Sequence, residues 1–138
     1  MDRHRQCHTR RVAEAAREAI IAGLEPIAHT PHTLTSPADL RAELETIRQR
    51  GCAYDMEEHE EGIRCVAVAI RNFRGEPIAG LSVTSTASRL TENRMVDEIQ
   101  PRVLAAGQRI SAALGHLPSA RCAVSPPAGI ADRHRAGA

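Results

Sequence analysis

Residues 63–70 read IRCVAVAI, and no other segment limits the fold as strongly. The run is β-branched and almost continuously apolar, the pattern of a strand covered on both faces. Asn72-Phe73-Arg74-Gly75 then supplies a turn, with Gly75 suited to a positive φ. Residues 78–84 (IAGLSVT) return as the second strand of a hairpin. Cys52 to Glu57 reads as a further short strand, joined to the hairpin by the acidic loop Glu57-Glu58-His59-Glu60-Glu61-Gly62.

Helical patterns flank these strands. Val12, Ala15, Ala16, Ala19, Ile20 and Gly23 recur at three and four, giving a weakly apolar helix that ends before Pro26. Residues 25–35 are a loop rich in Pro, His and Thr. Ser36-Pro37-Ala38-Asp39 is a helix start: Ser36 caps, Pro37 fits the first helical position, and Asp39 favours the positive helix end. Leu40, Leu44 and Ile47 then share one face, Arg41, Glu43, Glu45, Arg48 and Arg50 can stay wet, and Gly51 stops the helix. The spacing of Val96, Ile99, Val103, Ala106, Ile110 and Ala113 or Leu114 predicts a short helix over 91–99 and a main helix over 101–114, with Pro101 opening the second and Gly115 ending it.

The order α, α, β, β, β, α implies an α+β fold, an antiparallel sheet with helices on one side. The folded part spans residues 12–117. Residues 1–11 and 118–138, which lack apolar periodicity, are expected to be disordered ends. With only Tyr54 and Phe73 aromatic in 138 residues, the core must be built from Ala, Leu, Ile and Val.

Composition excludes several functions. Eighteen basic residues against 17 acidic leave a net charge of +1, which weighs against a dedicated nucleic-acid binder or a polybasic membrane anchor. Every basic residue is Arg, so no Schiff base, Lys general base or P-loop is available. Cys7, Cys52, Cys65 and Cys122 form no C-x-x-C pair, and no signal core or membrane-length apolar run is present. The chain reads as cytoplasmic, with free thiols and no cofactor. His29-x-x-His32 and the cluster His4, Cys7, His8 lack a marked third or fourth ligand, and the acidic loop around His59 lacks the spacing of a calcium loop, so no metal is expected. No Gly-x-Ser-x-Gly elbow or phosphate-cradling loop is present, and no enzyme activity is expected.

Strand alternation offers a binding surface instead. Ile63, Cys65, Ala67 and Ala69 share one face of the first hairpin strand, and Ser82 and Thr84 share a face of the second. Small apolar groups mixed with a thiol and hydroxyls leave room and donors for a small polar ligand. A core merely short of large side chains would give the same composition.

The residues then meet a family pattern. Thr33-Leu34-Thr35-Ser36-Pro37, Leu40, Leu44 and Ile47-Arg48-Gln49-Arg50-Gly51 are followed by Asp55-x-Glu57-Glu58 and Glu61-Gly62-Ile63-Arg64-Cys65-Val66-Ala67. Arg71-Asn72-Phe73-Arg74-Gly75, Ala79-Gly80-Leu81-Ser82-Val83-Thr84 and Arg89-Leu90-Thr91 continue it, and residues 105–115 (AAGQRISAALG) close it. Over residues 30–115 the chain resembles the effector-binding domain of IclR-family transcriptional regulators.

The resemblance implies a GAF/profilin-like antiparallel sheet with flanking helices, present in part. It also implies a module that senses a small organic-acid effector and assembles as a homodimer or tetramer. DNA would be reached only through a winged helix that this chain does not contain. By the same resemblance the effector site uses Asp55, Ile63, Cys65, Ser82 and Thr84. Cys52 stands where the family usually has an aromatic, Ala69 where it has Pro, and Ala16-Arg17-Glu18-Ala19 where it has a glycine-lysine pair. The family's first sensor strands are also missing. A rival expectation is a non-functional truncated remnant or misassigned reading frame of such a regulator.

Overall fold

The computed structural model describes residues 14–117. The expectations for residues 1–11 and 118–138, and the cluster His4, Cys7, His8, lie outside the described residues. Helix α1 (residues 14–23) leads through a loop to α2 (Pro37–Arg50). Ser36 caps α2 by accepting from the Ala38 and Asp39 amides, and Gly51 ends it at φ 80°. Strands β1 (Ala53–Met56), β2 (Ile63–Arg71) and β3 (Pro77–Thr86) follow, as an antiparallel sheet in the order β1-β2-β3. A turn of helix, α3 (Glu92–Arg94), runs through a π-helical segment (Met95–Ile99) into α4 (Gln100–Ala113). The architecture is the expected α+β one.

One face of the sheet is the core. Tyr54, Val66, Val68 and Ile70 are buried there, beneath Leu90, Met95 and Val103. The expectation that β2 is covered on both faces is corrected: Cys65 and Ala67 are only half-buried and Ala69 is exposed. Among the described residues the last helix packs on β2 and β3, on the Val68 side.

The last helix also differs from its sequence pattern. Its buried face runs through Gln100, Val103, Gly107 and Ser111, while Ile110 and Leu114 are exposed. The helix also runs on through Pro101. A proline inside an α-helix lacks an amide hydrogen and crowds the carbonyl four residues back. Here the ladder widens instead, with the Gln100 amide donating to the Met95 carbonyl, five residues back. The helix therefore continues through Pro101; beyond Val103 its buried stripe takes Gly107, which lies against Val68, and Ser111, rather than Ala106 and Ile110. Ser111, now facing the sheet, accepts the Arg71 amide at 3.0 Å and so caps β2.

Helix α2 brings a second correction. Glu43, expected to stay in water, is buried and pairs with Arg50 at 3.1 Å. Arg50 also donates to the Cys52 carbonyl at 3.0 Å and lies 3.8 Å from the centre of the Tyr54 ring. A buried carboxylate is tolerable only with such a partner. This one fixes the end of α2 against the start of β1.

Candidate functional site

The antiparallel register brings all five sequence-predicted residues onto one face of the sheet. Asp55 pairs with Cys65, and Cys65 with Thr84, so three strands contribute to a single cross-strand row. Ser82 opposes Ala67 one row along, and Ile63 opposes Thr86 one row the other way. This is the face opposite Val66, Val68 and Ile70. Asp55, Ile63 and Cys65 are half-buried, while Ser82 and Thr84 are exposed. The surface is an open shelf floored by the small residues Ala53, Ala67 and Gly80.

Its chemistry is that of hydrogen bonding. Ser82 and Thr84 each bring a hydroxyl that donates and accepts, and Cys65 a weakly polar thiol. Asp55 is the one charged side chain of the five. One of its oxygens accepts the Glu58 amide at 2.8 Å, which fixes the turn after β1. The five residues include no cation, so an acid bound here would rely on hydroxyls and backbone amides.

Loops at the Asp55 end are held by residues that the site pattern did not single out. Thr30 donates to the Glu57 carbonyl at 2.6 Å, and the Thr33 hydroxyl donates to the Glu58 carbonyl. The same Thr33 oxygen accepts the His29 and Thr30 amides at 3.1 and 3.0 Å. A buried Thr in a Pro/His/Thr loop carries no periodic signal, and only its burial marks it.

Glu57 orders the rest of the acidic loop. It adopts φ 68°, a left-handed conformation uncommon for a side-chain-bearing residue. Its carboxylate accepts the Gly62 amide at 2.9 Å and the Arg64 guanidinium at 2.9 Å. These two partners, the Gly62 amide foremost, hold it below the usual carboxylate range. Its own carboxylate therefore holds the turn that starts β2.

Among the described residues the histidines do not assemble into a ligand set. His29 and His59 meet edge to face with ring centres 5.2 Å apart, and no group of three metal-ligating side chains occurs among the described residues. A separate apolar groove of about 430 Å³ lies between α1 and α2, lined by Arg17, Ile20, Ile21, Leu24, Leu40 and Leu44. No helix among the described residues is long and apolar enough to cross a membrane.

Comparison with known proteins gives a consistent result. The family described as bacterial transcriptional regulator IclR C-terminal matches residues 10–112. The acetate operon repressor of Salmonella typhimurium is 41% identical over 88 residues, 64% of this chain and 32% of that protein. The crystal structure of Thermotoga maritima IclR superposes with a TM-score of 0.67 at 39% identity, over 75% of this chain and 41% of that one. The C-terminal domain of the E. coli regulator KdgR superposes with a TM-score of 0.68 at 35% identity, over 75% of this chain and 62% of that one. The chain thus spans about a third of the length of such curated relatives.

Proposed function

This chain belongs to the IclR family of bacterial transcriptional regulators, to their C-terminal domain, and on that premise we propose that residues 12–117 form an effector-sensing, oligomerising module whose ligand is a small organic acid. Its relatives are transcriptional regulators, not enzymes. One observation carries the reading: Asp55, Cys65 and Thr84, far apart in the chain, stand in one row with Ser82 and Ile63 beside it. The ligand's carboxylate takes hydrogen bonds from the Ser82 and Thr84 hydroxyls. Its hydroxyl, or the hydrate of a keto group, donates to Asp55. Operator DNA would be reached through a winged helix outside this chain, with ligand binding transmitted through the oligomer.

Isothermal titration of the purified chain against glyoxylate, pyruvate and protocatechuate tests the proposal. Saturable binding by one of them, weakened roughly tenfold by Thr84→Val, is expected, since a lost hydrogen bond to a charged group costs about that much. Binding by none, from a chain that is also monomeric in light scattering, ends the sensor reading. The openness of the shelf supports one rival, a remnant that folds loosely and senses nothing. That rival predicts strong dye binding and no cooperative melt; the sensor reading predicts a cooperative one.

A further inference from the structure

One peptide unit in the turn between β1 and β2 is gripped from both sides. The Glu57 carbonyl and the Glu58 amide both belong to it. The carbonyl accepts the Thr30 hydroxyl at 2.6 Å, and the amide donates to the Asp55 carboxylate at 2.8 Å. A trans peptide is planar, with its carbonyl and N–H on opposite sides, so fixing one end aims the other. Donation to the carbonyl also polarises the unit and strengthens the hydrogen bond that its N–H gives to Asp55. The unit needs an outside hold, because Glu57 stands at φ 68°, a conformation that a side chain disfavours.

That hold is folded in its own right. Thr30 is only 8% exposed, and its oxygen accepts the His32 amide at 3.1 Å while its hydrogen goes to Glu57. The Thr33 amide donates to the Thr30 carbonyl at 3.2 Å. The Thr33 oxygen gathers the His29 and Thr30 amides, and its hydroxyl donates to the Glu58 carbonyl. Residues 29–33 are thus a clamp on the turn that carries Asp55, set before any ligand arrives.

We infer that Thr30 is a positioning residue for the shelf: acting through the 57–58 peptide, it fixes the Asp55 carboxylate, which then selects acids bearing a hydroxyl or a hydrated carbonyl beside their carboxylate over plain carboxylates. The inference rests on the reading of the shelf as an acid site. An ionised carboxylate only accepts hydrogen bonds, so Asp55 rewards a ligand that brings a donor. To a plain carboxylate it offers nothing but like charge, and discrimination comes from the reward and the repulsion together. An Asp55 free to swing would lose the hydroxyl's hydrogen bond, which depends on placement, and keep the repulsion, which does not.

Isothermal titration of the full chain with lactate and with propionate, which differ by one hydroxyl, tests this. The parent chain is expected to bind lactate roughly tenfold more tightly or better. Thr30→Val should bring the two affinities to within roughly threefold by weakening lactate alone. Thr30→Ser, which keeps the hydroxyl, should retain the preference. With Asp55→Ala in place, Thr30→Val should leave the remaining ratio unchanged, because its route to the ligand is gone. In the unaltered, ligand-free chain the Glu58 amide should exchange roughly tenfold more slowly than in the urea-unfolded chain, a readout that does not depend on a variant folding. Equal affinity of the parent for the two acids, a Thr30→Val that weakens both alike, or a Glu58 amide that exchanges freely overturns the inference and leaves the shelf reading standing. A chain that takes neither acid also overturns it, and titration with glyoxylate, pyruvate and protocatechuate then decides the shelf reading separately.

Discussion

Gly107 sits against Val68 so closely that a Cβ built on the glycine would stand 2.6 Å from the valine Cγ2. This contact, where α4 crosses β2, sets the distance of the last helix from the sheet. Gly107→Ala should gain roughly 1 kcal/mol of helix propensity and lose more to overpacking, which costs about 1–3 kcal/mol in a filled core. The clash wins because the helix cannot shift without moving Ser111 from the Arg71 amide. Urea unfolding should show net destabilisation. Adding Val68→Ala, which removes the opposing methyl, should make the two changes less than additive.

Tyr54 is the chain's single tyrosine, so its titration is directly visible in ultraviolet absorbance. Burial, with the Cys52 thiol alongside, pushes its phenol up to about 12. Its hydroxyl donates to the Gln100 side chain at the head of α4. The folded chain should titrate near 12, and the urea-unfolded chain near the ordinary 10. Because the folded value is the higher, this group's contribution to stability is complete below 10 and is lost as pH rises toward 12.

Glu57 works in the opposite direction. Its folded value lies below the ordinary 4.5, so the folded state binds fewer protons there than the unfolded state. The stabilisation is complete above 4.5 and is lost as pH falls through the lower folded value. Glu57→Gln should therefore lower the urea midpoint at neutral pH, and the difference from the parent chain should shrink on acidification below 4.5. A difference that stays constant with pH would show that Glu57 acts through backbone geometry alone.

The two described cysteines should separate cleanly under alkylation with peptide mapping. Cys52 is buried, and desolvation pushes its thiol upward, so it should react only as the chain unfolds. Cys65, half-buried on the open shelf, should react in the native state. A bound effector should protect Cys65 and leave the rate at Cys52 unchanged.

Much of this was legible in the residues. The boundaries of α2 follow from Ser36, Pro37 and Gly51, because caps are local chemistry. The shared face of Asp55, Cys65 and Thr84 follows from the period of two in paired strands, joined to a family resemblance that picked out the same positions. Three features were hidden. The stripe of α4 runs through Gly107 and Ser111, a glycine and a serine that apolar spacing does not count, because one fits against Val68 and the other accepts the Arg71 amide. Glu43 is buried because Arg50, seven residues away, meets it there. The exposure of Ala69 was masked by a run apolar on both faces, a pattern that gives strand chemistry without saying what covers each face.

The central claim is that an acid binds the shelf of β1, β2 and β3, and backbone amide shifts of the isotope-labelled chain during titration with the tightest-binding acid test it most directly. Saturable shifts centred on Asp55, Cys65, Ser82 and Thr84 are predicted, and Thr84→Val should raise the acid concentration at half-saturation roughly tenfold. Shifts centred instead on Arg17, Leu40 and Leu44, around the groove between α1 and α2, would contradict it.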